Sequence, residues 1–205
     1  MLNKFKNFEI NALKFVVTTY FIFSVLTISG QGSFSSRLSD AVLELTKQQV
    51  QYDPQYFSID YPNGDVPANK GVCTDVIIRA YRKLGIDLQK EVHEDMRANF
   101  SLYPKNWGLT RPDKNIDHRR VPNLMKYFSR YGTVKPITGN PEDYVPGDIV
   151  AWNLGGGTTH IGIVVDRKSV DTKRYLIVHN IGNGQELSDC LFSYKIIGHY
   201  SFQRL

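Results

Sequence analysis

Residues 147–166 have the sequence GDIVAWNLGGGTTHIGIVVD, in which two runs of apolar and β-branched residues flank a glycine-rich turn. Runs of this kind are typical of antiparallel β-strands. Glycines 155–157 lack the lysine and hydroxyl residue of a phosphate loop and lead into a strand, so we expect a turn that rims any neighbouring cleft. The strands predicted in the C-terminal region are 148–152, 160–166, 174–180 and 195–202.

The chain before Pro146 is predicted to be mainly helical. Apolar residues recur at helical spacing in several segments, and glycine or proline marks some of their ends. Residues 51–70 are rich in proline and aspartate and are predicted to form an ordered loop. The predicted helices are 38–50, 72–84, 92–100 and 122–131. Because helices precede strands, we expect an α+β domain in which the helix that carries Cys73 packs on an antiparallel sheet.

Cys73 is placed as a nucleophile would be. It lies in the sequence GVCTD (residues 71–75), at the start of an amphipathic helix that Gly85 terminates. The positive end of a helix dipole favours a thiolate, which is the reactive form of cysteine. A single cysteine in this position, with histidines far along the chain, predicts nucleophilic chemistry. A disulfide with Cys190 is the alternative in an exported protein, although we expect Cys190 to be a small buried apolar residue.

Two histidines at strand ends are candidates for the base that such a cysteine needs. His160 opens one predicted strand and His179 closes the next. Since side chains alternate along a strand, Gly162 shares a face with His160 and would leave room there for the Cys73 helix. Only one of His179 and Asn180 can point towards His160, and we favour His179.

These segments resemble a known superfamily. Residues 147–152, 160–163 and 177–179 resemble the strand signature of the NlpC-type cell-wall cysteine peptidases. That resemblance implies a compact papain-like domain with an N-terminal cysteine helix and an antiparallel sheet.

A second resemblance covers more of the chain. Residues 71–76, 115–124 and 178–182 resemble bacterial domain-of-unknown-function family 1287. This resemblance extends over about residues 40–203, which is nearly all of the chain after the N-terminal segment.

The peptidase resemblance implies a role for each candidate residue. Cys73 would be the nucleophile, His160 the general base and His179 the residue that orients the base. Backbone N–H groups at the start of the cysteine helix would contribute an oxyanion hole. The peptidases usually have aspartate directly before the cysteine, whereas this chain has Val72 there and an acid at Asp75. That difference affects the expected substrate more than the nucleophile.

Polar residues near these motifs are candidates for substrate binding. Residues 117–120 form a polar loop that could line the cleft, and arginine suits bidentate recognition of a carboxylate. The predicted substrate-binding residues are Asp75, Asp117, His118, Arg119, Arg120 and Asn180. His93 and Glu94 could suggest metal ligands, but adjacent residues point to different sides of a helix, so we expect no metal and no cofactor.

Residues 1–30 resemble a secretory signal peptide, with lysines, then an apolar run and small residues. An uncleaved anchor is the alternative, and it would be the only link to a membrane. Residues 31–205 then form a single exported domain, periplasmic or associated with the cell envelope. Without residues 1–30 the excess of basic over acidic residues falls from +5 to +3. No basic run interleaves with aromatic residues, so a nucleic-acid partner is not expected.

These expectations combine into an exported thiol hydrolase. It would cleave an amide bond, in a peptide or a peptidoglycan-derived substrate, by a Cys-His-His mechanism. Two alternatives stay open: a non-catalytic cell-envelope binding module of the same fold, and an acyltransferase that uses the same cysteine. Fold resemblance cannot choose among them, because function depends on the site.

Overall fold

The computed structural model describes residues 32–204, and from Ser33 onward these residues form one compact unit. The segment predicted as a signal peptide lies outside the described residues. The helices are α1 (Phe34–Leu45), α2 (Cys73–Lys83), α3 (Leu88–Ala98) and α4 (Val121–Tyr131). The strands are β1 (Gln51–Tyr52), β2 (Lys70–Gly71), β3 (Thr133–Val134), β4 (Ile149–Gly155), β5 (Thr158–Lys168), β6 (Tyr175–His179), β7 (Glu186–Ser188) and β8 (Lys195–Ser201).

Six strands form one antiparallel sheet in the order β3-β8-β4-β5-β6-β7. The short strands β1 and β2 pair separately and in parallel, with Tyr52 opposite Gly71. Helix α2 contacts both β5 and β6. The predicted α+β class, with helices before an antiparallel sheet, is confirmed.

Several predicted element boundaries shift because of local capping. Helix α1 starts at Phe34 rather than near residue 38, since the Ser33 hydroxyl accepts the N–H of Ser36. Helix α3 starts earlier than predicted because the Asp87 carboxylate accepts the N–H of Lys90. An N-terminal cap of this kind satisfies backbone donors that have no partner in the helix.

The two faces of the sheet bury two separate cores. The larger core joins the helices to the side chains of β5 at Ile161, Ile163 and Val165. The smaller core lies on the opposite face and contains Trp152 and Val164, among others. Within residues 32–204, no helix combines the length and the apolar character needed to cross a bilayer.

Candidate active site

Cys73 is the first residue of α2, and the chain enters this helix in an extended conformation at Val72 (φ −126°, ψ −173°). The Val72 N–H donates to Asp75 Oδ2 at 2.7 Å. The Asp75 carboxylate therefore fixes the first turn of α2, and Val72 contributes its backbone N–H to this bond. This explains how the helix can start without an aspartate before the cysteine.

Asp75 is held in turn by Arg119. Arg119 Nε lies 2.9 Å from Asp75 Oδ1, and Arg119 Nη2 lies 3.0 Å from Oδ2. Both side chains are buried, and Arg119 also donates to the Gln55 carbonyl. This internal ion pair uses the polar groups of both residues, and their contact with a substrate stays a prediction.

The neighbouring residues of the polar loop are also largely buried. Asp117 Oδ2 accepts a hydrogen bond at 2.8 Å from His93 Nδ1, and the Asp117 side chain is fully buried. Burial lowers the pKa of His118 to about 3. Asp117 and His118 are both buried in this structure, and their contact with a substrate stays a prediction. Arg120 is half-buried, and its guanidinium lies 4.6 Å from the centroid of the exposed Trp107 ring.

His160 and His179 form a hydrogen-bonded imidazole pair. His160 Nε2 lies 2.8 Å from His179 Nδ1, and both side chains are buried. This pairing agrees with the strand alternation that favoured His179 over Asn180. Asn180 instead donates to the Gly71 carbonyl at 3.2 Å and is fully buried, and its contact with a substrate stays a prediction. That bond joins the end of β6 to the chain just before Cys73.

The Cys73 sulfur lies against the backbone of β5. The backbone N–H groups of Ile161, Thr74 and Cys73 act to lower the pKa of this thiol. The paired residues of β5 and β6 run from Ile163 towards Lys168, so Ile161 has no paired residue on β6. Within the described residues, no hydrogen bond joins Cys73 to His160, although His160 directly precedes Ile161.

Gly162 has a different role from the predicted one. A Cβ at this position would lie 2.7 Å from Ile177 Cγ2 and 3.2 Å from His179 Cβ. The glycine therefore makes room for β6 on the face of the sheet that carries the two imidazoles. The expectation that Gly162 accommodates the Cys73 helix is wrong, because α2 packs on the opposite face.

Burial dominates the electrostatics of these groups. It raises the pKa of Cys73 to about 12, with a further increase from the Asp75 carboxylate. The predicted thiolate is therefore wrong for this state, since desolvation outweighs the helix N-terminus and the N–H donors. Burial lowers the pKa of His160 to about 3 and that of His179 to about 4. At neutral pH the site holds a thiol and two neutral imidazoles.

Three residues near His179 were not predicted. Ser188 Oγ lies 2.5 Å and Glu186 Oε1 4.0 Å from His179 Nε2. Cys190, a free thiol like Cys73, has its sulfur 3.6 Å from the same nitrogen. A short alternation in the sequence Glu-Leu-Ser could have indicated β7, but three residues are too few to separate a strand from a turn.

One open cavity lies away from Cys73. A cavity of about 860 Å³ lies beside α3 and α4 and is lined by residues such as Glu91, Asp95 and Tyr127. In the described part of the chain, no three His, Cys, Asp or Glu side chains are grouped so as to hold a metal ion.

The comparisons with known proteins agree with the second resemblance in the sequence. The chain is 48% identical over 172 residues to the uncharacterized protein YijF of Escherichia coli (strain K12), which covers 84% of this chain and 83% of that protein. Residues 39–202 match the family described as a domain of unknown function, DUF1287. The chain therefore belongs to the DUF1287 family.

Proposed function

We propose that this protein is an exported thiol hydrolase with a papain-like, NlpC-type arrangement that cleaves an amide bond in a cell-wall peptide. One observation carries the proposal. Cys73 is the first residue of α2, which packs on β5, and His160 of β5 is hydrogen-bonded to His179. The proposed reaction requires the thiol and the imidazole, which lie on opposite faces of the sheet in this structure, to meet at the end of β5 that carries His160.

In the proposed reaction, His160 acts as a general base because the thiol is neutral at rest. His160 Nδ1 takes the thiol proton while the Cys73 sulfur attacks the carbonyl carbon of the amide. The carbon–nitrogen bond then breaks, the departing nitrogen takes the proton from His160, and a thioester forms on Cys73. Water, deprotonated by His160, cleaves the thioester to give a carboxylic acid and the free thiol.

The start of α2 would stabilise the negative oxygen that forms during attack. The backbone N–H groups of Cys73 and Thr74 lie at the start of this helix. A carbonyl bound at the sulfur would place its oxygen near these donors. The Asp75–Arg119 ion pair would keep this first turn in position without contacting the substrate.

A non-catalytic binding module is the second candidate, and specific observations favour it. Cys73 is only 7% exposed, and its pKa is raised to about 12. Within residues 32–204 it also lacks a hydrogen bond to His160. A binding module of this fold would keep the same cysteine as a packing residue.

Digestion of purified peptidoglycan fragments by the purified protein tests the proposal. We expect new amine and carboxyl ends in the products of the wild-type protein, and none with Cys73→Ala or His160→Ala. Leu187→Thr, on the face of β7 away from His179, is the control and should keep activity.

Two results would decide against hydrolysis. Cleavage that persists in Cys73→Ala would show that Cys73 is not the nucleophile. Fragment binding without cleavage, of equal affinity in the wild-type protein and Cys73→Ala, would support the binding module. Addition of a competing amine separates transfer from hydrolysis, because a transferase would form the corresponding amide product.

A further inference from the structure

Strand β7 presents two polar side chains to the imidazole pair. Glu186 lies directly opposite His179 in the register of β6 and β7, and Ser188 lies opposite Ile177. Because alternate residues of a strand share a face, Glu186 and Ser188 both lie on the side of the sheet that carries His179. The outermost strand of the sheet therefore extends the site beyond the residues of the proposed triad.

Both nitrogens of His179 have neighbours. Nδ1 lies 2.8 Å from His160 Nε2, and Nε2 lies 2.5 Å from Ser188 Oγ. The Glu186 carboxylate lies 4.0 Å from the same Nε2, with its side chain 35% exposed. Within the described residues, His160 Nδ1 makes no hydrogen bond, so it is the one ring nitrogen of the pair without a protein partner.

The position of a single proton on each ring decides whether His160 can act as a base. A neutral imidazole carries one proton, on Nδ1 or on Nε2. If His179 carries it on Nε2, its Nδ1 accepts the Nε2–H of His160, and His160 Nδ1 is free to take a proton. If His179 carries it on Nδ1, His160 must carry its own proton on Nδ1 and cannot deprotonate the thiol.

Two groups on and beside β7 favour the first arrangement. A carboxylate near Nε2 favours a proton on that nitrogen. The Ser188 hydroxyl oxygen lies 2.5 Å from Nε2 and can accept that proton. The donors then run in one direction, from His160 to His179 and to Ser188.

We propose that Ser188 and Glu186 are positioning residues that hold His179 as the Nε2–H tautomer and so leave His160 Nδ1 bare to act as the base. The tautomer itself is a property of the folded protein, and only its catalytic consequence rests on the proposed function. The two parts can therefore be tested separately.

Nitrogen-15 NMR of the histidine rings tests the tautomer directly. Spectra that correlate ring protons with ring nitrogens distinguish a protonated nitrogen from a bare one, and the His160→Gln and His179→Gln variants assign the signals. At neutral pH we expect His160 and His179 of the wild-type protein to be Nε2–H tautomers. Ser188→Ala and Glu186→Gln should each add a population with His179 protonated on Nδ1, and Ser188→Thr, which keeps the hydroxyl, should restore the wild-type pattern.

Leu187→Thr is the matched control, because Leu187 lies between the two residues on the other face of β7 and is 39% exposed. This variant should leave both tautomers unchanged. The proposal is overturned if wild-type His160 carries its proton on Nδ1, or if Ser188→Ala and Glu186→Gln both match Leu187→Thr. Peptidoglycan cleavage measured on the same variants reports on the proposed function, and its absence in the wild-type protein would leave the NMR result standing.

Discussion

Arg119 holds Asp75 through two hydrogen bonds, of 2.9 and 3.0 Å, across 44 residues of sequence. Both side chains are buried, and the carboxylate also fixes the Val72 N–H at the start of the cysteine helix. The ion pair thus joins the loop after α3 to the turn that carries Cys73. Its effect on the site is through position rather than through contact with a substrate.

Removing one partner of this pair should strongly destabilise the fold. Arg119→Ala leaves the Asp75 carboxylate buried without its counterion, so we expect the free energy of unfolding to fall by about 3–5 kcal/mol. Urea denaturation measures this change. Arg174→Ala, which removes an ion pair that is about one-third exposed, is the control and should cost about 1 kcal/mol or less. Equal effects of the two substitutions would contradict the structural role of Arg119.

The native Cys73 thiol should react slowly with iodoacetamide at neutral pH. Because burial raises its pKa to about 12, the thiolate fraction is small, and we expect alkylation at least about a hundredfold slower than in the urea-unfolded chain. Trypsin separates the two cysteines into peptides 71–79 and 175–195, so mass spectrometry reads each one. A native rate at pH 6 equal to the unfolded rate would mean that the thiol is ionised.

Acid should destabilise the protein through its buried imidazoles. Burial, with the nearby Arg119 and Arg82 charges, lowers the pKa of His118 to about 3. The unfolded chain therefore binds more protons than the native state below about pH 6.5, and stability falls as the pH falls. Between pH 6.5 and 5 we expect the free energy of unfolding to fall by about 2 kcal/mol because of such a group.

Substitution of His118 separates its contribution to stability from that of groups whose protonation stabilises the native state. Burial raises the pKa of Asp117, so protonation of that carboxyl favours the native state as the pH falls. His118→Gln removes the buried imidazole and should flatten the dependence of the urea midpoint on pH between 6.5 and 5. An unchanged slope would show that His118 is not held neutral by the fold.

A methyl group at position 162 should disturb the imidazole pair. The Cβ of Gly162→Ala would lie 2.7 Å from Ile177 Cγ2 and 3.0 Å from the Val178 carbonyl oxygen, so β6 has to shift. We expect a loss of about 1–3 kcal/mol in unfolding free energy and a change in the His179 ring signals. Gly139→Ala, where a Cβ meets nothing within 4 Å, should change neither quantity.

The sequence was sufficient for the parts of the fold that have long periodic patterns. The hairpin of β4 and β5 and the helix that begins at Cys73 are each long enough to show their period, and alternation also predicted that His179 faces His160. The strands of two or three residues escaped prediction because they are too short to show a period. Strand β7, which brings Glu186 and Ser188 to the site, is one of these.

The sequence misled where burial decides the chemistry. Residues 117–120 carry charges typical of a binding loop, but only the fold shows that Arg119 meets Asp75. The start of a helix favours a thiolate at Cys73, but the sequence does not show how completely the protein covers that sulfur. In both places a distant partner or the loss of solvent outweighs the local pattern.

The glycine turn at 155–157 has a consequence for any change in chain length there. All three glycines adopt positive φ, and the turn fixes the register that places Trp152 opposite His160. Deletion of one turn residue that slipped this register would rotate every β5 side chain to the other face. The His160 imidazole would then enter the core beneath the helices, and Ile161 would take its place. The length of this turn, which carries no reactive group, therefore governs which residue meets His179.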